Sequence, residues 1–200
     1  MRATAIRTAL VFVTVFASMS ALAQQPLRVR GTIESVNGST LLVKQGQRPD
    51  VMVKLTDDAK VFAVVPATLS DVKLGAFIAV AAMPQPDGSQ TAIQVVIFME
   101  SQRGRGEGNR PWDRPGATMT NGTVDATVAG VEGQVLTVKY KGGEQKIIIG
   151  ANTLIRTYVP GNRSDLKPGA HVYIFGPERL PDGTLQTARI NVGRDGVVPQ

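Results

Sequence analysis

An internal duplication constrains this chain more than any other feature. Residues 66–97 run Pro-x-x-x-Ser-Asp-x-x-x-Gly, an apolar stretch, Pro-Asp-Gly and then Thr-Ala, and the same order returns from Pro160 to Val192. Ser70-Asp71 and Gly75 correspond to Ser164-Asp165 and Gly169, and Pro86-Asp87-Gly88 with Thr91-Ala92 corresponds to Pro181-Asp182-Gly183 with Thr187-Ala188, at an offset of 94 to 96 residues. Upstream, Gly31-Thr32-Ile33 matches Gly122-Thr123-Val124. So long a period indicates a duplicated domain, because solenoid repeats are typically about 20 to 50 residues. The repeated positions carry turn chemistry and core pattern, with no catalytic motif among them.

Within each copy the pattern alternates with period two, as a strand with one buried and one wet face requires. Val29, Gly31 and Ile33 alternate with Arg30, Thr32 and Glu34, and Val51, Val53 and Leu55 with Met52, Lys54 and Thr56. Asn37-Gly38 is a strong two-residue hairpin signal, matched by Glu132-Gly133 in the second copy, where Gly142-Gly143 makes a further hairpin between Val135–Tyr140 and Gln145–Ile149. Pro66 ends a strand Val61–Val65, and Ala67–Leu74 holds a single turn that Ser70 or Asp71 caps and Gly75 ends. Two longer strands follow, joined through Pro86-Asp87-Gly88. The fold expected is all-β: two tandem small β-barrels of about six short strands each, one over residues 28–100 and one over 119–193, with 194–200 as a short polar tail.

Residues 101–118 break this pattern. The stretch from Ser101 to Thr118 is rich in glycine, proline and arginine, and its one large apolar side chain is Trp112. Such a segment buries too little surface to fold alone and reads as a flexible linker. The competing reading makes Arg103, Arg105, Arg110, Trp112 and Arg114 an anion- or partner-contacting arm, with Trp112 available for stacking.

Residues 1–23 read as an export signal. Arg2 and Arg7 precede the apolar run Leu10–Ala17, Ala21-Leu22-Ala23 supplies a small-residue cleavage site, and the run is too short to span a bilayer. A periplasmic or secreted location follows, with no membrane span expected after removal of the signal. The formal net charge is +6, and two of those charges are Arg2 and Arg7, so the remainder is only mildly basic. That excess falls short of a dedicated nucleic-acid surface, and nucleic acid is not the expected partner.

Catalytic chemistry is hard to assemble. The chain has one histidine, His171, which reads as an ordinary strand position, and no cysteine. Asp71, Asp87, Asp165 and Asp182 sit where aspartate serves local turns. Asp57-Asp58 is an adjacent acidic pair that suits a solvated turn or a cation, but Ala151-Asn152 stands in its place in the second copy. No cofactor is expected.

The succession Gly-Thr-Ile/Val, then Leu-x-Val-Lys, Ser-Asp-Leu-Lys-Pro-Gly, Pro-Asp-Gly and Thr-Ala resembles the exported bacterial domains of unknown function of family 5666, over roughly 70 residues in each copy. The resemblance implies a secreted tandem of barrels similar to an oligonucleotide/oligosaccharide-binding fold and implies no activity. The expected function is a non-catalytic binding or scaffolding module for a protein, glycan or small ligand. The alternative is a metal- or anion-handling accessory protein.

Overall fold

A computed structural model describes residues 27–130 and 133–199; the expected export signal lies outside them. Thirteen strands account for most of these residues: β1 (Arg28–Asn37), β2 (Thr40–Gln45), β3 (Arg48–Pro66), β4 (Phe77–Pro84), β5 (Gln90–Ile97), β6 (Gly108–Pro111), β7 (Thr118–Gly130), β8 (Gly133–Tyr140), β9 (Gly143–Ile149), β10 (Leu154–Pro160), β11 (His171–Phe175), β12 (Glu178–Arg179) and β13 (Leu185–Gly193). Only three short 3-10 turns interrupt them, at Leu69–Asp71, Glu100–Gln102 and Arg163–Asp165. The turn aspartates act as expected: the Asp71 carboxylate accepts the Thr68 amide at 2.8 Å and Asp165 accepts that of Asn162 at 2.7 Å.

Five strands close a barrel, and they come from both copies. β1 pairs with β2, β2 with β3, β3 with β13, β13 with β11, and β11 returns to β1. Val29, Ile33, Leu41, Val43, Val53, Ile174, Ile190 and Val192 fill its interior. A second set repeats the order with the copies exchanged. β7 pairs with β8, β8 with β9, β9 with β5 through Gln90 and Thr91, β5 with β4, and β4 with β7. Its interior holds Ile78, Val80, Val95, Val124, Leu136, Val138, Ile147 and Ile149.

The expectation of one barrel per copy is therefore corrected. Each ring takes its first three strands from one copy and its last two from the other. The chain leaves the first ring at Pro66, builds the second, and returns after Pro160. β3 and β10 pair antiparallel where it crosses, with Val64 opposite Tyr158, its own counterpart in the duplication. Ala63 faces Val159 and Val65 faces Thr157, so a local twofold axis runs through the Val64–Tyr158 pair. Phe62, Val64, Ala79, Val96 and Tyr158 form a third apolar cluster between the rings, distinct from either interior. The repeated glycines Gly31 and Gly122 serve matching close approaches: a Cβ on either would overlap the backbone carbonyl of Lys44 or Lys139 on the next strand.

Three further expectations change. The strands expected at Val51–Leu55 and Val61–Val65 are one long strand, β3, in which Thr56–Ala59 bulge outward while β13 advances only from Thr187 to Arg189. Residues 101–118 connect β5 to β7 inside the second ring, so they do not link two domains. This segment pairs as β6 along β7 and reaches the first ring through Asp113, which accepts Arg28 at 2.7 Å and Arg30 at 2.5 Å. The expected tail is anchored as well, because Arg194 pairs with Asp165 at 2.9 Å and its amide bonds the Val64 carbonyl.

Candidate functional site

Strand register builds the site. Across the first ring, Arg30 lies opposite Tyr173, Tyr173 opposite Asn191 and Asn191 opposite Phe62, so the four side chains share the outer face that looks toward the second ring. The matching row on the second ring is Asn121, Ala79, Val96 and Arg156. Alternation places Arg30, Tyr173 and Asn191 outside the barrel, since their chain neighbours Val29, Val172, Ile190 and Val192 point into it. Segment 102–113 lies over the space between the rows.

That space is a cavity of about 380 Å³. Arg28, Arg30, Arg105, Arg110 and Arg189 line it, together with Tyr158, Tyr173, Phe175, Trp112, Gln102, Asn121 and Asn191; Glu107 and Asp113 are its two carboxylates. Both carboxylates are engaged. Asp113 holds Arg28 and Arg30, while Glu107 Oε1 accepts the Lys141 amide at 3.0 Å. Arg28 and Arg30 also lie over the rings of Phe175 and Tyr173, at 5.6 and 5.0 Å from their centroids. Three guanidiniums therefore face the cavity without an acid beside them: Arg105, Arg110 and Arg189.

Of the four buried side-chain polar atoms without partners among the described residues, three belong to residues that line this cavity, the fourth being Thr120 Oγ1. Arg189 Nη1, Asn121 Oδ1 and Asn191 Oδ1 are buried with no hydrogen bond, although Asn121 and Asn191 are only 5% and 9% exposed. Leaving such an atom unpaired costs about 1–3 kcal/mol, more for a charged group. The Asn121 amide is oriented by its Nδ2, which donates to the Arg105 carbonyl at 2.9 Å. Arg189 is held by the Phe62 ring, 4.6 Å from its Cζ.

Electrostatics agree with the geometry. Burial, and then the charge of nearby Arg28, lowers the pKa of Arg110, so positive charges crowd here in a partly desolvated setting. Burial pushes the Tyr158 phenol up to about 12, with Tyr173 adding to the rise and Arg105 opposing it; the phenol stays neutral at ordinary pH.

The arm residues singled out in the sequence divide among three places. Arg105, Arg110 and Trp112 line the cavity. Arg103 turns away, bonding Glu100 and the Gly75 carbonyl over the Phe77 ring. Arg114 lies with Trp112, Asp113 and His171 beside a separate shallow depression of about 520 Å³. His171 Nδ1 is 3.0 Å from Thr32 Oγ1 on the neighbouring strand. Among the described residues no three His, Cys, Asp or Glu side chains gather as a metal group. In the Asp57-Asp58 pair, Asp58 bonds Thr56 and the Asp57 carbonyl accepts Arg163.

Sequence reasoning missed Arg28, Arg30, Arg189, Asn121 and Asn191, which alternation marks only as outward-facing. Their signal was an excess of arginine and amide at outward positions in β1, β7 and β13. No family model, curated protein or solved structure matches the chain, so its function has to be argued from this geometry.

Proposed function

We propose that this is an exported, non-catalytic binding protein that holds a small anionic molecule in the cavity between its two rings. We read the rings as two small barrels that exchange strands, in keeping with the family resemblance, and the periplasm or the medium as the place of action. The observation that carries the reading is the gathering of Arg105, Arg110 and Arg189 around one cavity with no carboxylate beside them, Arg189 having in addition a buried Nη1 without a partner. An incoming anion supplies the missing acceptor and relieves repulsion among the guanidiniums. At about 380 Å³ the cavity falls toward the lower end of the ~300–1,000 Å³ of small-molecule sites, which favours one small ligand over a polymer. Its polar groups are guanidinium, amide and phenol, with both carboxylates already engaged, and this set suits holding a ligand better than transforming one.

Trp112 is the chain's single tryptophan and lines the cavity, so its fluorescence reports occupancy. Titration with small carboxylates and phosphates should give a saturable change that weakens with salt, and Arg189→Gln should remove it. If no anion saturates the signal at millimolar concentration, the reading fails.

A further inference from the structure

We infer that the anion is a hydroxylated, sugar-sized ring carrying one carboxylate or phosphate group. The inference rests on the anion-binding reading above and sharpens it. A bare anion satisfies Arg189 and its neighbours but cannot satisfy Asn121 Oδ1 or Asn191 Oδ1, because both are acceptors and a carboxylate or phosphate offers them no hydrogen. In the orientation the structure gives, each accepts only from an O–H or N–H of the ligand. The Asn121 oxygen cannot be exchanged for its nitrogen without losing the bond to the Arg105 carbonyl, so the acceptor is fixed in place.

The two unpaired acceptors stand on opposite rings. Asn191 belongs to the row of Tyr173 and Phe62, and Asn121 to the row of Ala79 and Val96. A ligand reaching both therefore carries hydroxyls on two sides of its body, with the anionic group toward Arg189. Trp112 offers aromatic surface for the C–H face of such a ring, while Ala79 stands where the duplication places a tyrosine in the other copy and leaves room for it. Segment 102–113, held to the first ring by Asp113, closes over the site.

The test is calorimetric titration of the protein with five probes: glucuronate, glucose 6-phosphate, glucose, cyclohexanecarboxylate and inorganic phosphate. Glucuronate or glucose 6-phosphate should bind at least about tenfold more tightly than the other three, and the tighter of the two identifies the anionic group as carboxylate or phosphate. Two variants borrow the residue of the matching position in the other copy, which keeps the face foldable. Arg189→Gln should abolish binding. Asn191→Val should bring glucuronate and cyclohexanecarboxylate to within about threefold of one another. If the wild-type protein binds cyclohexanecarboxylate as tightly as glucuronate, the hydroxylated-ring inference is overturned and the anion site stands. Equal binding of glucose overturns the anion site itself, and binding of none of the five overturns both.

Discussion

The two halves of the molecule are alike where they are buried and unlike where they face each other. Leu41 and Leu136, Val43 and Val138, Val53 and Ile147, and Ile190 and Val95 occupy matching interior positions, and all are apolar and buried. On the facing rows, Arg30 is matched by Asn121, Tyr173 by Ala79, Asn191 by Val96 and Phe62 by Arg156. Interior positions are restricted in both copies by close packing, which penalises any change of volume or polarity. The facing rows need only fit together, so one could hold Tyr173 and Asn191 where the other holds Ala79 and Val96. That asymmetry turns a duplicated frame into one cavity with a charged side and an open side.

The likeness is tested most severely in the cores. Leu41→Ala and Leu136→Ala should each cost roughly 2–5 kcal/mol, since both are fully buried at matching sites. Because each ring is built from both copies, guanidinium denaturation should still show a single transition in either variant; two separated transitions would mean that the rings fold independently. A smaller paired effect is expected at the two close approaches of Gly31 and Gly122. Gly31→Ala and Gly122→Ala each drive a methyl group into a backbone carbonyl and should cost about 1–3 kcal/mol, read as lowered melting temperatures. A loss at only one of them would show that the two close approaches are not equivalent.

The duplication, the hairpin at Asn37-Gly38 and the aspartate-capped turns were legible because each depends on a few neighbouring residues. The exchange of strands was not, since alternation shows which side of β1 is buried and cannot show whether its partner comes from residues 76–83 or 171–175. The same blindness hid the site. Arg30 and Asn191 were correctly outward-facing, but outward from one ring here means toward the other. Composition misled for residues 101–118 in a related way: glycine and arginine suggested a tether between domains, whereas the stretch is a loop of one ring anchored on its neighbour.

That correction changes what proteolysis should do. Tandem barrels cut between residues 103 and 114 would part, but here residues 28–63 pair with residues 171–193 through β1–β11 and β3–β13. Trypsin cleavage after the exposed Arg105, which precedes Gly106, should therefore leave two fragments that migrate as one species on size exclusion and separate only in denaturant. Fragments that separate in native buffer would restore the tandem arrangement.

The smallest effect concerns the hold of the segment on the first ring. Partial burial acts to raise the Asp113 carboxyl, but the hydrogen bond from Arg30 and the charges of Arg30 and Arg28 outweigh it and keep its pKa below the ordinary 3.8. A carboxyl whose pKa is lower in the folded state contributes stability above its unfolded value and loses that contribution as pH falls through the folded one. The contact should thus persist from neutral pH down to about pH 4 and release only below it. All three side chains are more than a third exposed, so release should change global stability by no more than about 1 kcal/mol. Neighbouring Trp112 reports it directly: wild-type emission should shift below about pH 4 before far-ultraviolet circular dichroism falls. Asp113→Asn should show the shifted emission already at pH 7 with no further step. Identical traces for the two proteins would mean that Asp113 does not hold the segment, and the difference between the facing rows would then have to keep the cavity covered by itself.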